Sequence, residues 1–244
     1  MNSIKVLMIM LMAGFFLFIG EAKAEHSAFV KEFMRAYDAK NIPGMGELVK
    51  SNKATIPAEV RALTKEALKK DTAPEDKTAN FFIGELIARE YNNLTEDATL
   101  LIELKQEEFN SNLHEAVRAK ADKGIVTVEI PAGTEKEKNI FTPDHIIINE
   151  GETVRWKNND TVAHIFASMP LIGQGGIFTP SIEGGATWEF KFDKPGEYYY
   201  LCFIHKGMIG KITVLASEKP EVAPAEKPVE KGKKDTESEK HAEE

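Results

Sequence analysis

Tyr198-Tyr199-Tyr200-Leu201-Cys202-Phe203-Ile204-His205-Lys206-Gly207-Met208-Ile209-Gly210-Lys211-Ile212-Thr213-Val214 is the segment around which this 244-residue chain is organised. A strand-like run ends at Cys202, a short turn presents His205 and Met208, and a second alternating run leads away from Lys211 to Leu215. A thiolate, an imidazole and a thioether are thus packed into one tight loop between two strands. Together they suit a soft metal ion, and two His with one Cys and a weak axial Met is the donor set of a mononuclear copper site. The loop lacks one imidazole. His164, at the end of Trp156-Lys157-Asn158-Asn159-Asp160-Thr161-Val162-Ala163-His164, is the obvious supplier.

Cys202 is the single cysteine of the chain. A lone thiol in an exported protein is exposed to oxidation and cross-linking, and ligation to a metal removes that hazard. The alternative is a buried core thiol, a common fate of cysteine. His205, Met208 and His164 in register with Cys202 favour the ligand.

Working outward, the hydrophobic period is two from Ile125 onward. Val126, Val128 and Ile130 alternate with polar residues, and so do Ile146 and Ile148, Val154 and Trp156, Trp188, Phe190 and Phe192, then Tyr198 and Tyr200. Gly and Asn/Asp clusters separate the runs. Short strands at this spacing predict a β-sandwich, which can bring His164 to the loop at one end. His145 reads as a surface strand residue. Ser168 to Gly185, rich in Gly and apolar residues, reads either as a crossover tucked onto the core or as an exposed rim beside the metal. Ile172, Ile204 and Ile209 are candidates for an apolar contact patch around His205.

Upstream the period is helical. Phe29, Val30, Phe33, Met34 and Tyr37 mark one segment; Val60, Leu63, Ala67 and Leu68 mark a second, opened by Ile56-Pro57, where proline suits the first turn. Phe81, Phe82, Leu86, Ile87 and Tyr91 mark a third. Thr95 can cap a fourth that runs toward Ala121, with Gly124 as its stop. Antiparallel packing into a small bundle is the simplest way to bury these stripes. The region lacks Cys-x-x-Cys-His, so it is not a c-type cytochrome. His114 reads as a solvated helix residue and His26 as a residue of a loose terminus.

The net charge of -8 gives no sign of nucleic-acid binding. Met1 to Ala24 reads as a cleavable secretory signal, with Lys5, an apolar run from Val6 to Gly20, and Ala22-Lys23-Ala24. The apolar run is short for a membrane span, and no span is expected in the mature chain. A periplasmic or secreted protein follows. The expected organisation is a signal peptide over 1–24, a helical domain over 25–123, a copper-binding domain over 124–216, and a disordered charged tail over 217–244, rich in Pro, Lys and Glu. His241 in that tail is not a credible ligand.

From about Ile125 to Leu215 the chain resembles the cupredoxin (blue-copper) family, which includes plastocyanin and amicyanin. The resemblance covers Phe141-Thr142-Pro143, Gly151 to Trp156, the Asn-Asn-Asp-x-x-x-His element, Lys194 to Tyr200 and the ligand loop. Cys-x-x-His-x-x-Met is the short loop spacing of amicyanin. The resemblance implies an all-β Greek-key sandwich holding one type 1 copper ion, with His164, Cys202 and His205 as strong ligands and Met208 as the axial one. It implies electron transport between redox-protein partners and no enzymatic activity. Further histidines (His26, His114, His145, His241) are scattered and form no second copper cluster. The alternative is a periplasmic copper carrier or sensor whose helical domain docks a partner. One departure stands out. Where amicyanin and plastocyanin have Asn after the first His ligand and Ser or Thr after Cys, this chain has Ile165 and Phe203, so an apolar pair replaces a polar one.

Overall fold

The computed structural model describes residues 26–132 and 140–217. The expected signal peptide and all of the charged tail beyond Ser217, His241 included, lie outside the described residues. Five helices come first: α1 (Ala28–Asp38), α2 (Ile42–Ser51), α3 (Ile56–Ala67), α4 (Pro74–Thr95) and α5 (Thr99–Asn110). Ser27 caps α1 by accepting the Val30 N–H at 3.2 Å. Phe29, Val30 and Phe33 face inward, Met34 and Tyr37 flank them, and Val60, Leu63 and Ala67 form the buried stripe of α3. Leu68, read as part of that stripe, is instead the exposed C-cap residue. The long α4 lies at the centre, touching each of the other four helices and burying Phe81, Ile83 and Ile87.

Two features depart from the periodicity. α2 adds a helix in a stretch to which the period assigns none and which holds Pro43, Gly44 and Gly46; Met45 and Val49 drop into the bundle core and hold it. The last helix is shorter than expected and starts later. Thr95 belongs to the end of α4, donating its hydroxyl to the Tyr91 carbonyl at 2.8 Å, and the Thr99 N–H is accepted by Asp97 instead. α5 ends at Asn110, and β1 (Val117–Arg118) already pairs with the sandwich. Gly124 therefore ends no helix; at φ +80° it serves the turn into the next strand.

The remaining strands are β2 (Ile125–Ile130), β3 (His145–Asn149), β4 (Thr153–Asn158), β5 (Phe166–Ser168), β6 (Thr187–Lys191), β7 (Gly196–Cys202) and β8 (Ile209–Leu215). One sheet runs β1-β3-β8-β7-β5 and the other β2-β4-β6. The fold is a cupredoxin-like β-sandwich preceded by a helical bundle. Between the sheets sits a core of rings: Phe141, Trp156, Phe166, Phe192 and Tyr200 are all at most 2% exposed. Trp156 stands 5.2 Å from Phe166 and donates its indole N–H to the Tyr200 hydroxyl at 3.3 Å. Each buried aromatic of this kind contributes roughly 1.5–3 kcal/mol by leaving water, and with two torsions apiece the rings form a stiff scaffold.

Period-two reasoning predicts that Tyr199 faces solvent, yet Tyr198, Tyr199 and Tyr200 are all buried. Helix α5 explains this. Phe109 meets the Tyr199 ring edge-on at 5.1 Å, so the outer face of β7 is covered by the bundle.

Candidate metal centre

Two loops at one end of the sandwich converge. The first follows β4. Asn158, fully buried, donates its side-chain amide to the carbonyls of Val162 and Ile182, each at 2.8 Å, and accepts the Asp160 N–H. His164 is then fixed by a two-bond bridge to Ile182. The second is the β7–β8 loop. Cys202 ends β7 opposite Phe166, and its N–H donates to the Met208 carbonyl at 2.9 Å, closing the loop around His205. Gly207, at φ +80°, supplies the left-handed step within it. Gly210 permits the next strand to pass the ring of Tyr200, since a Cβ there would lie 2.3 Å from Tyr200 Cζ.

The structure brings His164, Cys202 and His205 together, and they form the one potential metal-binding group found among the described residues. Nδ1 of His164 and Nδ1 of His205 are 3.1 Å apart, and they stand 3.9 Å and 3.6 Å from the Cys202 sulfur. A point equidistant from these three atoms lies about 2.1 Å from each, within the roughly 2.0–2.3 Å of metal–imidazole and metal–thiolate bonds to zinc. The donor triangle fits a metal ion. Met208 is buried in the same loop, within the sandwich core.

His164 is 0% exposed, and burial is the main force holding its pKa below the ordinary value; the neighbouring His205 adds to this and Asp160 opposes it. The imidazole is therefore neutral, with a lone pair to offer. Its Nε2 faces Asp160 Oδ2 at 3.4 Å but is not aligned for a hydrogen bond, and it is the buried side-chain nitrogen left without one among the described residues. Burial pushes the Asp160 carboxyl up, but the Thr161 N–H and the His164 imidazole outweigh it, leaving the group below its usual value and ionised. A carboxylate behind a ligating imidazole is a common orienting partner in metal sites. Asn158 and Asp160 are the functional residues that ligand chemistry alone overlooks; both lie in the Asn-Asn-Asp run that precedes His164.

Around the site, His205 is half-buried, while Phe203 and Ile204 are 62% and 53% exposed. The Ile165 and Phe203 positions are joined through the backbone, Phe203 N–H to Ile165 C=O at 2.8 Å, so the two loops stay tied without a polar side-chain pair. The proposed isoleucine patch needs correction. Ile172 is 3% exposed, enclosed with Phe109 and Tyr199, and Ile209 packs against that same cluster. Of the three, Ile204 is the exposed one. The Ser168–Gly185 crossover is tucked onto the core through Ile172, Ile177 and Ile182, which are buried, while Leu171 and Phe178 are exposed. Met169 packs on the Phe109 cluster.

The remaining histidines take other roles. His26 meets the buried Asn80 at 3.0 Å. His114 follows α5 and is not within a helix; it is exposed and bonded to Asp144 at 2.8 Å. His145 is half-buried rather than on the surface, against Thr213.

Residues 128–215 match the family model for copper binding proteins of the plastocyanin/azurin family. Amicyanin-alpha of Methylorubrum extorquens is 32% identical over 91 residues, covering 35% of this chain and 76% of that protein. A plastocyanin of Synechococcus is 31% identical over 101 residues, covering 36% and 73%. Among solved structures, a purple cupredoxin from Nitrosopumilus maritimus is 29% identical, with 36% of this chain and 98% of that chain covered and a TM-score of 0.33. The family model begins past the helices.

Proposed function

Because the chain belongs to the plastocyanin/azurin family of copper-binding proteins, we propose that it is an exported electron carrier, passing single electrons between redox proteins. Its cofactor is one copper ion, which when bound supplies a one-electron couple. His164, Cys202 and His205 would hold the ion, with Met208 as the weak axial donor. The observation that carries the reading is the buried triangle of two imidazole nitrogens and one thiol at the end of a rigid sandwich.

The remaining work is done by the chain. Two loops locked by Asn158 and by the Cys202–Met208 backbone bond would hold the donors in place when the ion is bound, so that little rearrangement would accompany transfer. The aromatic core excludes water from the inner side of the site. The half-exposed His205, flanked by Phe203 and Ile204, offers the exit to a partner. A small apolar contact suits a carrier that must let go quickly, as weak redox encounters bury little surface.

Export rests on the 1–24 leader reading; among the described residues no helix is long and apolar enough to cross a membrane. The division into a helical unit (25–123), a copper unit (124–216) and a charged tail belongs to the same proposal, with β1 (Val117–Arg118) reaching forward into the sheet of the copper unit. Purifying the chain with copper and recording its visible spectrum tests it. An intense thiolate-to-copper band is expected, and Cys202→Ser should abolish it while far-UV circular dichroism stays unchanged. A colourless copper-loaded chain, or a band that survives Cys202→Ser, overturns the ligand assignment. Steady turnover of nitrite or dioxygen would overturn the carrier role in favour of an enzyme. Transfer of copper to an apo-acceptor, faster than electron exchange, would mark a copper carrier.

A further inference from the structure

We propose that the helical bundle positions the Met208 arm of the ligand loop, with Phe109 as the positioning residue. The inference rests on Met208 being the axial ligand and adds a role for the region that the family model leaves unmatched. Its basis is the arrangement of β8. The strand begins at Ile209, immediately after Met208, and its residues alternate between two faces. Met208, Gly210 and Ile212 face the sandwich core, where Met208 is 1% exposed and Ile212 is 0%. Ile209 and Lys211 face the other way, toward α5.

Helix α5 meets that outer face through residues about one turn apart. Gln106 donates its side-chain amide to the Ile172 carbonyl at 2.8 Å. Phe109 forms a buried cluster with Ile172 and Tyr199, against which Ile209 packs. Asn110 accepts from the Lys211 ammonium at 3.1 Å. The ammonium is also paired with Glu197 and lies 5.0 Å from the centre of the Tyr199 ring. The backbone that leaves Met208 is therefore held on both faces: by the sandwich core inside and by Phe109 and Asn110 outside.

This matters most for a weak donor. Strong thiolate and imidazole bonds set their own lengths, whereas an axial thioether bond is long and soft, and its distance follows wherever the protein places the sulfur. Truncating Phe109 leaves a void in the cluster against which Ile209 packs, and a core relaxes only partly around such a void. The freed arm lets Met208 drift from the site while Cys202 and His205, anchored by β7 and the turn, stay in place. A weaker axial donor stabilises the oxidised ion less, so the potential rises.

The test uses the full chain. In copper-loaded protein, Phe109→Ala should shift the reduction potential upward and alter the ratio of the visible bands, without loss of the metal. In copper-free protein it should speed amide exchange at Met208 and Cys202, whose N–H groups bond within the loop. Phe109→Leu should recover most of both effects. Leu63→Ala, a truncation in the bundle core away from β8, should change neither. Should Phe109→Ala not fold, Ile209→Val trims the same contact from the strand side and should move the potential the same way. An unchanged potential in folded Phe109→Ala, or an equal shift in Leu63→Ala, overturns the proposal. Met208→Gln separates the two readings. It should keep copper and lower the potential. If it moves the potential and Phe109→Ala does not, only the positioning role fails; if Met208→Gln moves nothing, the axial assignment fails and the proposal falls with it.

Discussion

The bundle and the sandwich each bury a continuous apolar core, but they differ in what else they bury. In the bundle the buried polar side chain among the described residues is Asn80, and His26 meets it at 3.0 Å. In the sandwich Asn158, His164, Thr179 and Lys211 are buried. Asn158, Thr179 and Lys211 all have partners at hydrogen-bond distance, while Nε2 of His164 has none in good geometry. Burying a polar group without a partner is unfavourable by about 1–3 kcal/mol in proteins. A core whose polar groups are all satisfied is explained by folding. That orphaned Nε2 faces Asp160; on the other edge of the ring Nδ1 stands 3.1 Å from His205 Nδ1 and 3.9 Å from the Cys202 sulfur, and it is this gathering of donor atoms that points to a ligand.

The comparison can be broken by trimming each core in turn. Trp156→Ala should destabilise the sandwich by about 3–5 kcal/mol, read by urea unfolding. It removes contacts with Phe166 and Tyr200 and leaves the Tyr200 hydroxyl without its indole donor. Copper affinity should fall with it, because Phe166 pairs with Cys202. Ile87→Ala, equally buried in the bundle, should cost about 2–5 kcal/mol and leave the visible spectrum as it was. If Ile87→Ala bleached the band as strongly as Trp156→Ala, the site would depend on both cores alike.

A smaller effect separates the exposed loop from the buried one. Ile204→Lys should slow electron exchange with the native partner several-fold, while the copper spectrum stays intact. Ile172 is the wrong place to make this change, since it is enclosed by Phe109 and Tyr199. An Ile204→Lys rate equal to the parent's would move the docking surface elsewhere.

How much was legible in sequence follows from what is local. Cys202, His205 and Met208 lie within one loop, so their spacing points to the proposed donor set; His164 joins it through donor counting and family resemblance. Helices α1, α3 and α4 declare themselves by period. Helix α2 does not, because Pro43, Gly44 and Gly46 mask a short amphipathic face that only the bundle stabilises. The burial of Tyr199 and Ile172 is also hidden, since a third layer, α5, comes from far away in the chain to cover them. Leu113 and Phe109 fall within the span of the longer helix that the sequence predicts and carry no signal that they face a sheet. Asn158 and Asp160 stand in an Asn/Asp cluster of the kind that separates strands, and their second role appears once His164 is in place.

The smallest predicted effect lies near the seam between the two regions, at His145. Its Nε2 is 3.2 Å from the Thr213 hydroxyl, which itself donates to Glu197. Thr213 therefore has an oxygen to offer, and His145 donates through Nε2. Burial holds the His145 pKa below its ordinary value, the Lys211 ammonium adds to this, and Glu197 and Asp144 oppose it. In the unfolded chain the imidazole takes a proton near its usual pKa of about 6.5; in the folded chain it does so only at lower pH. Stability from this group is thus complete above that value and declines as pH falls from the unfolded pKa toward the folded one. His145→Gln keeps a donor for Thr213 but cannot titrate. The stability difference, parent minus variant, should be constant above neutral pH and shrink on acidification, because only the parent loses the His145 share of stability there. His164, present in both, cancels in the difference. A parent that instead gained on the variant as the solution became more acidic would mean that Glu197 and Asp144, not burial and Lys211, govern His145.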